Sequence, residues 1–478
     1  MKSLMPIPSA TQDTTSLQAV IIAVCIACVS GAWGSNPASA QPQERAGLVA
    51  ALDSAAAAHA ADSTMAGVAV AVVQRGDTLL HEGYGQANLQ FDVPMPRDAV
   101  FEVGSITKQF TAAAILQLAA KDSINLDAEI TEYLTGYDTR GHRVTARHLL
   151  HHTSGIRSYT NMARFDDLSR QDLPRDTLLA MVADEPFRFA PGTAMSYSNT
   201  GYFLLGRIIE KASGQSYASY LDDHLLGPAG MDDSYYCDEE AAVERKANGY
   251  RWSNEGSLCR KDYLDHTWPY SAGSLCSSAP DLATWIQALH GGAVLPDSMY
   301  EAMTTPGRLA DGTELRYGMG LSVFRHKGRR VVGHGGGIFG YLSDSRYYPE
   351  SGLIVVVLQN TTGPRAPQSL ADSMTRLVLG PGDEPKTTPY DGDLSELTGR
   401  YVGPSRGDVT DLRLEVSGDT LLARATGSEE ADTLRHAEGL TWRHQSDRYR
   451  VVSAGEQIVE LRLDVVGGHY VLRRVGGN

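Results

Sequence analysis

The sequence predicts an α/β protein of the α+β type: an antiparallel sheet flanked by helices, an inserted, mainly helical region, and a small antiparallel β-barrel at the C-terminus. Three observations carry this. Strand pairs with neighbouring helices stand at both ends of the first 380 residues. Most of the stretch between them carries apolar residues at helical spacing. Beyond a Gly/Pro-rich break, short alternating segments recur roughly every ten residues, the mark of a small all-β module. The expected organisation is an export signal or N-terminal anchor over 1–40, the α+β region over 41–380, a linker over 381–393 and the β-module over 394–478.

Composition sets the outer bounds. The chain has 478 residues, 42% hydrophobic and 21% charged, ordinary values for a globular protein with sizeable cores. A net charge of −15, with no Lys/Arg-rich run to offset it, argues against nucleic-acid partners. Near the start, "LQAVIIAVCIACVSGAW" is apolar and short for a span of about 20 residues. Ala38-Ser39-Ala40 fits a cleavage site, with Gln41 opening the mature chain. Export to the periplasm or medium is expected, with a retained N-terminal anchor, or a lipid anchor at Cys28, as the alternatives; any membrane contact runs through this segment.

An exported chain permits disulfides. Cys237 and Cys259 flank the hairpin-like "KANGYRWSNEGSL" and are the expected pair, which leaves Cys276 as a buried thiol. No metal or cofactor is expected. The mature part lacks C-x-x-C and His-Glu-x-x-His patterns, and His151 and His152 are sequence neighbours, which do not face one another on a helix.

Taken in order, "ERAGLVAALDSAAAAHA" reads as a helix, and "GVAVAVVQRGDTLLHEGYGQA" as two strands turning at Gly76-Asp77. "VGSITKQFTAAAILQLAAK" is a buried helix. "TGYFLLGRIIEKASG" is a helix stopped by Gly214, and "SSAPDLATWIQALHGG" one capped by Ser278 with Pro280 in its first turn. "SDSRYYPESGLIVVVLQN" is a second strand pair whose continuous apolar end suits a central position, and "APQSLADSMTRLVL" is the closing helix. After the linker come "GRYVG", "LRLEVSGDTLLARAT", "LTWRH", "YRVVS", "IVELRLDVV" and "YVLRRV", which carry no catalytic constellation and suit packing or binding.

Chemistry enters at Ser105. Lys108 lies three residues on and therefore on the same helix face. Gly104 permits a tight entry to the helix, and the helix start favours an oxyanion. Apolar neighbours lower a lysine's pKa and free its amine as a proton acceptor, which a serine hydroxyl needs before it attacks. Alone, Ser-x-x-Lys fits a capping serine and a snorkelling lysine better. Two further segments change the balance. Tyr197-Ser198-Asn199 puts a phenol and an amide on one side of an extended segment just ahead of a helix. His334-Gly335-Gly336-Gly337 exposes backbone amides able to hold an oxyanion.

With these three motifs in this order, residues 47–379 resemble the serine β-lactamase-like hydrolases: class C β-lactamases, D-Ala-D-Ala carboxypeptidases, D-aminopeptidases and related esterases. "LLHHTSGI" and "AGSLCSSAPDLATW" resemble further family landmarks, and the C-terminal module resembles the lipocalin-like β-domains appended to some members. The resemblance implies an acylated nucleophile at Ser105, general-base work shared by Lys108 and Tyr197, substrate contacts from Asn199, His334, Gly335 and Gly336, and an oxyanion hole from the backbone N–H groups of Ser105 and Gly337. His334 stands where a lysine is usual, and a histidine is only partly charged near neutrality. An esterase or D-amino-acid peptidase acting on a small molecule or short peptide is therefore ranked above a β-lactamase or D-Ala-D-Ala carboxypeptidase. An α/β-hydrolase esterase is disfavoured because no Gly-x-Ser-x-Gly elbow exists. The alternative outside enzymes is an exported binding protein that keeps the fold. Oligomeric state is left open.

Overall fold

The computed structural model describes residues 40–237, 242–455 and 457–476. The export segment expected over 1–40 lies, up to Ser39, outside these residues. Residues Ala46–Asn478 form one compact unit.

Seven described strands make an antiparallel sheet in the order Ser322–His326, Arg329–Ile338, Tyr341–Tyr348, Leu353–Gln359, Gly67–Gln74, Asp77–Asn88 and Val93–Pro94. Its centre joins the two ends of the α+β region, with Val68 paired to Gln359 and Gln74 to Leu353. Alternation explains the apolar run in Gly67–Gln74. Val68, Val70 and Val72 face one core, with Leu52 and Ala56 of the helix Ala40–Ala60 and Leu370 and Met374 of the helix Pro367–Leu379. Ala69, Ala71 and Val73 face the other core, with Phe110 and Trp285. Both faces are covered, so both sets must be apolar.

The helix Thr107–Ala120 runs through that second core, buried on nearly every side. This is why its sequence shows little amphipathic contrast. Phe110 stacks on Trp285 of the helix Ala279–His290 at 4.0 Å. Ser278 caps that helix by accepting from the Asp281 N–H.

The C-terminal strands close on themselves. Eight antiparallel strands run from Gly399–Pro404 to Gly468–Val475, and these two pair through Arg400–Val475 and Val402–Arg473. Tyr401, Trp442, Tyr449 and Tyr470 help fill the interior, as expected of a barrel of this size. The sequence reading contains no strand at Asp432–Glu438. Only Leu434 is buried there, so the alternation that marks a strand is nearly absent. A ninth strand, Met195–Ser196 of the helical region, joins the barrel sheet through Gly468–Ser196 and His469–Met195. The barrel is thus stitched to the segment that carries Tyr197.

The expected Cys237–Cys259 pair is corrected by the structure, in which Cys237 bonds to Cys276 and Cys259 is free among the described residues. The hairpin Tyr250–Trp252/Leu258–Arg260 does form, but it holds Cys259 on its second strand. Tyr235–Tyr236 pairs with Leu275–Cys276, which brings Cys237 beside Cys276 with Cα atoms 5.1 Å apart. Linking residues 39 apart removes loop entropy from the unfolded chain, about 4 kcal/mol by the chain-entropy relation. Cys276→Ser is expected to lower unfolding free energy by about 2–4 kcal/mol in urea titrations. Cys259→Ser should leave it within about 0.5 kcal/mol. Equal losses in the two variants would refute the pairing.

Candidate active site

Ser105 sits in a 3₁₀ turn, Gly104–Ile106, that leads into the helix Thr107–Ala120. Gly104 has φ +54°, and a Cβ there would lie 3.0 Å from the Gly337 nitrogen. Only glycine allows this turn to press so closely on the third motif. The Thr107 hydroxyl donates to the Gly104 carbonyl at 2.6 Å and accepts from the Leu275 N–H at 3.0 Å, which ties the turn to the strand Leu275–Ser278.

Lys108 is fully buried. Its Nζ lies 3.1 Å from Ser105 Oγ, 2.8 Å from Asn199 Oδ1 and 2.6 Å from the Ala272 carbonyl. Burial, aided by the Arg406 charge, holds its pKa well below 10.5. A neutral amine has two N–H groups and one lone pair. The Asn199 and Ala272 oxygens can only accept, so they take both hydrogens. Whenever Lys108 is neutral, the lone pair is left for the Ser105 hydroxyl, which then donates to it. The three contacts together orient a proton acceptor at the serine.

Tyr197 closes the other side. Its ring centroid is 4.7 Å from Lys108 Nζ. Burial raises the phenol's pKa, with Ser105 and Arg406 drawing it partly back. Among the described residues its hydroxyl has no partner at hydrogen-bonding geometry, although Ser105 is the side chain that acts on it. The two shifts have different consequences. Lys108 is pushed towards its proton-accepting form and Tyr197 away from phenolate. The arrangement therefore suits Lys108 as base and Tyr197 as a neutral proton relay.

The second motif divides its labour. Ser198, not Asn199, caps the helix Asn199–Ser213, accepting from the Gly201 N–H at 3.3 Å. Asn199 is thereby free to face Lys108, while its Nδ2 donates to Thr160 at 3.3 Å. The Tyr197 N–H donates to the Gly467 carbonyl of the barrel at 3.0 Å.

In the third motif, folding decides the state of the histidine. His334 is 7% exposed. Its Nδ1 donates to the Gly335 carbonyl at 2.5 Å, so its Nε2 accepts from the Tyr317 hydroxyl at 3.0 Å. Desolvation lowers its pKa to about 3, leaving a neutral ring. Gly336 is required by packing: a Cβ there would sit 2.1 Å from the Val103 carbonyl. A cavity of about 430 Å³ is lined by Ser105, Asn199 and Gly337, but not by His334, Gly335 or Gly336. Tyr159, Phe165, Leu264 and Phe339 supply an apolar wall.

Residues 52–379 match the family model described as Beta-lactamase. The chain belongs to this family. Its relatives include a D-aminopeptidase of Gluconobacter oxydans (strain 621H), 28% identical over 417 residues that cover 83% of this chain and 78% of that protein. Among solved structures, the octameric penicillin-binding protein homologue from Pyrococcus abyssi superposes with a TM-score of 0.62 at 27% identity, over 88% of this chain and 99% of that one. A D-stereospecific amidohydrolase from Streptomyces sp. does so with a TM-score of 0.60 at 28% identity, over 68% and 98%. The protein is a serine hydrolase of the beta-lactamase type.

Several contributors to this beta-lactamase-type site have no signal in the sequence. The Ala272 carbonyl and the Gly467 carbonyl are backbone groups brought in by folding. Arg406 reaches the cavity from the barrel. His152, which the sequence offered only as a neighbour of His151 unsuited to a shared metal, is buried. Its Nδ1 accepts from the Ser198 N–H at 3.1 Å, and its ring lies 4.2 Å from that of Tyr197. Its place in "LLHHTSGI" was the hint available for it, as "AGSLCSSAPDLATW", which opens on Ala272, was for that carbonyl.

Proposed function

We propose that the protein cleaves amide bonds next to D-amino acids in small molecules or short peptides, through an acyl-enzyme on Ser105. Lys108 takes the Ser105 proton as Oγ attacks the carbonyl carbon. Tyr197 passes the proton to the leaving amine as the C–N bond breaks. The oxyanion rests on the backbone N–H groups of Ser105 and Gly337, and water then releases the acid by the reverse relay. The single observation that carries this reading is the buried Lys108 amine 3.1 Å from Ser105 Oγ, with Asn199 Oδ1 at 2.8 Å and the Ala272 carbonyl at 2.6 Å to accept its hydrogens. The names of the relatives, a D-aminopeptidase and a D-stereospecific amidohydrolase, support the amide and the D-configuration. The neutral His334 argues against the penicillin-type carboxylate contact at that position.

A panel of D- and L-amino-acid p-nitroanilides, p-nitrophenyl esters and nitrocefin tests this. The kcat/KM is expected to favour D- over L-anilides by about a hundredfold, the scale that a misplaced reacting group costs. Equal rates for the two enantiomers would refute the stereochemistry. Nitrocefin outpacing every anilide would restore the β-lactamase reading.

A further inference from the structure

A proton relay works only if its hydroxyl is held in place, and one residue outside the three motifs holds the backbone on both sides of Tyr197. His152 follows His151, the C-cap of the short helix Ala146–Leu150. Its φ is +59°, in the left-handed region. Glycine or asparagine is the usual residue at such a helix end, because a larger side chain is strained there. A side chain kept in that region against its preference points to a use for it.

The use is visible in what His152 touches. Its carbonyl accepts from the Ser196 N–H at 3.0 Å, and its Nδ1 accepts from the Ser198 N–H at 3.1 Å. Alternate residues of an extended segment share a side, so both N–H groups face His152. The Tyr197 N–H between them donates instead to the Gly467 carbonyl. Three consecutive N–H groups are thereby fixed, two of them by His152 alone. The ring lies 4.2 Å from that of Tyr197, 4.8 Å from that of Tyr317 and 5.0 Å from that of Tyr202. Tyr317 donates in turn to His334, so His152 is packed between the second and third motifs. An Nδ1 that accepts places the ring proton on Nε2, which is buried and has no hydrogen-bond partner among the described residues. A ring retained to satisfy its own polar atoms would pair both nitrogens; this one pairs the nitrogen that faces the Tyr197 segment. Burial, with Lys108 and His334 close by, holds its pKa well below 6.5, so Nδ1 stays an acceptor near neutrality.

We infer that His152 is a positioning residue of the hydrolase site, which holds the Tyr197 segment so that the phenol meets the leaving group at the scissile bond. It does not line the cavity and acts through Ser196 and Ser198. This rests on the proposed relay role of Tyr197 and deepens it.

The test compares the p-nitroanilide of a D-amino acid with the p-nitrophenyl ester of the same D-amino acid on the full chain. Both give the same acyl-enzyme, and kcat/KM reports its formation. The departing aniline needs a proton, whereas p-nitrophenolate leaves as a stable anion, so a displaced Tyr197 hydroxyl costs the anilide more. His152→Gly suits the backbone angle and keeps the carbonyl that Ser196 uses, but lacks the acceptor for Ser198. It is expected to cut anilide kcat/KM about a hundredfold, the cost of a misplaced reacting group, and the anilide-to-ester ratio about tenfold. Tyr197→Phe should lower that ratio by at least as much. His152→Asn tolerates the left-handed region and offers an oxygen close to the place of Nδ1, so it should restore most of the ratio. His152→Phe fills the space without an acceptor; it should behave as His152→Gly does, and it serves in place of that variant if the glycine form does not fold. Anilide and ester falling equally, or no rescue in His152→Asn, overturns the assignment. If Tyr197→Phe lowers the ratio and neither His152→Gly nor His152→Phe does, the His152 assignment alone falls. If Tyr197→Phe leaves the ratio unchanged, the relay role falls and the His152 assignment with it.

Discussion

Ser105→Ala is expected to lower kcat for both ester and anilide substrates by about 10⁴-fold or more, the scale on which a nucleophile acting in concert with its base is lost. The physical reason is local. The Ser105 hydroxyl is the group placed 3.1 Å from the buried amine, and Ser105 lines the cavity together with Gly337. Removing it leaves no atom to form the acyl bond. The fold should survive, because Ser105 is only partly buried and loses one hydrogen bond, a change of about 1 kcal/mol. Three measurements check this: the rate, the loss of a covalent mass increment from a fluorophosphonate, and an unchanged thermal transition. Retained labelling in Ser105→Ala would move the nucleophile elsewhere and dismantle the mechanism.

Lys108→Ala is expected to cost about 10³- to 10⁵-fold, since the base and the nucleophile work as a unit. It also leaves the Asn199 Oδ1 and the Ala272 carbonyl without their donor, so stability falls as well. Lys108→Arg separates the two effects: it can still donate to those oxygens, but it does not deprotonate in a protein, so activity stays lost. The pH dependence has a definite sign. In the proposed mechanism the neutral amine is the working form, so kcat/KM in the wild type should fall on the acid side as Lys108 takes up a proton. Arg406 helps to hold that pKa down, so Arg406→Gln should move the acid limb to higher pH. The other groups close to the amine are Tyr197 and Tyr202, through their ring faces, and the buried neutral rings of His152 and His334. Stability follows the same linkage. The folded value lies below the unfolded one, so the unfolded chain binds this proton more readily. The group's destabilising contribution is then full below the folded pKa and is relieved as pH rises towards 10.5. An acid limb that stayed in place in Lys108→Ala with measurable residual activity would assign the titration to another group.

The outcome at the two ends of the chain shows where sequence reasoning has purchase. The Gly67–Gln74 and Leu353–Gln359 segments were legible because a strand buried on both faces must be apolar throughout. The barrel strands were legible wherever alternate residues entered the interior, and the exception, Asp432–Glu438, buries only Leu434. The disulfide was misread because a hairpin was visible in the sequence, whereas the pairing of Tyr235–Tyr236 with Leu275–Cys276 was not.

The sequence by itself determined what depends on short spacing. A helical turn places Lys108 beside Ser105, and an extended segment running into a helix presents Tyr197 and Asn199 from one stretch. Dihedral preference and periodicity act within a few residues, so they leave a trace in the chain. Tertiary structure alone decided what surrounds those groups: the Ala272 carbonyl that takes a lysine hydrogen, the neutral state of His334, the Cys237–Cys276 bond and the arrival of Arg406 from the barrel. Each depends on segments distant in sequence meeting in space, and on the burial that follows. Desolvation and long-range pairing belong to the packed molecule, and no local pattern encodes them.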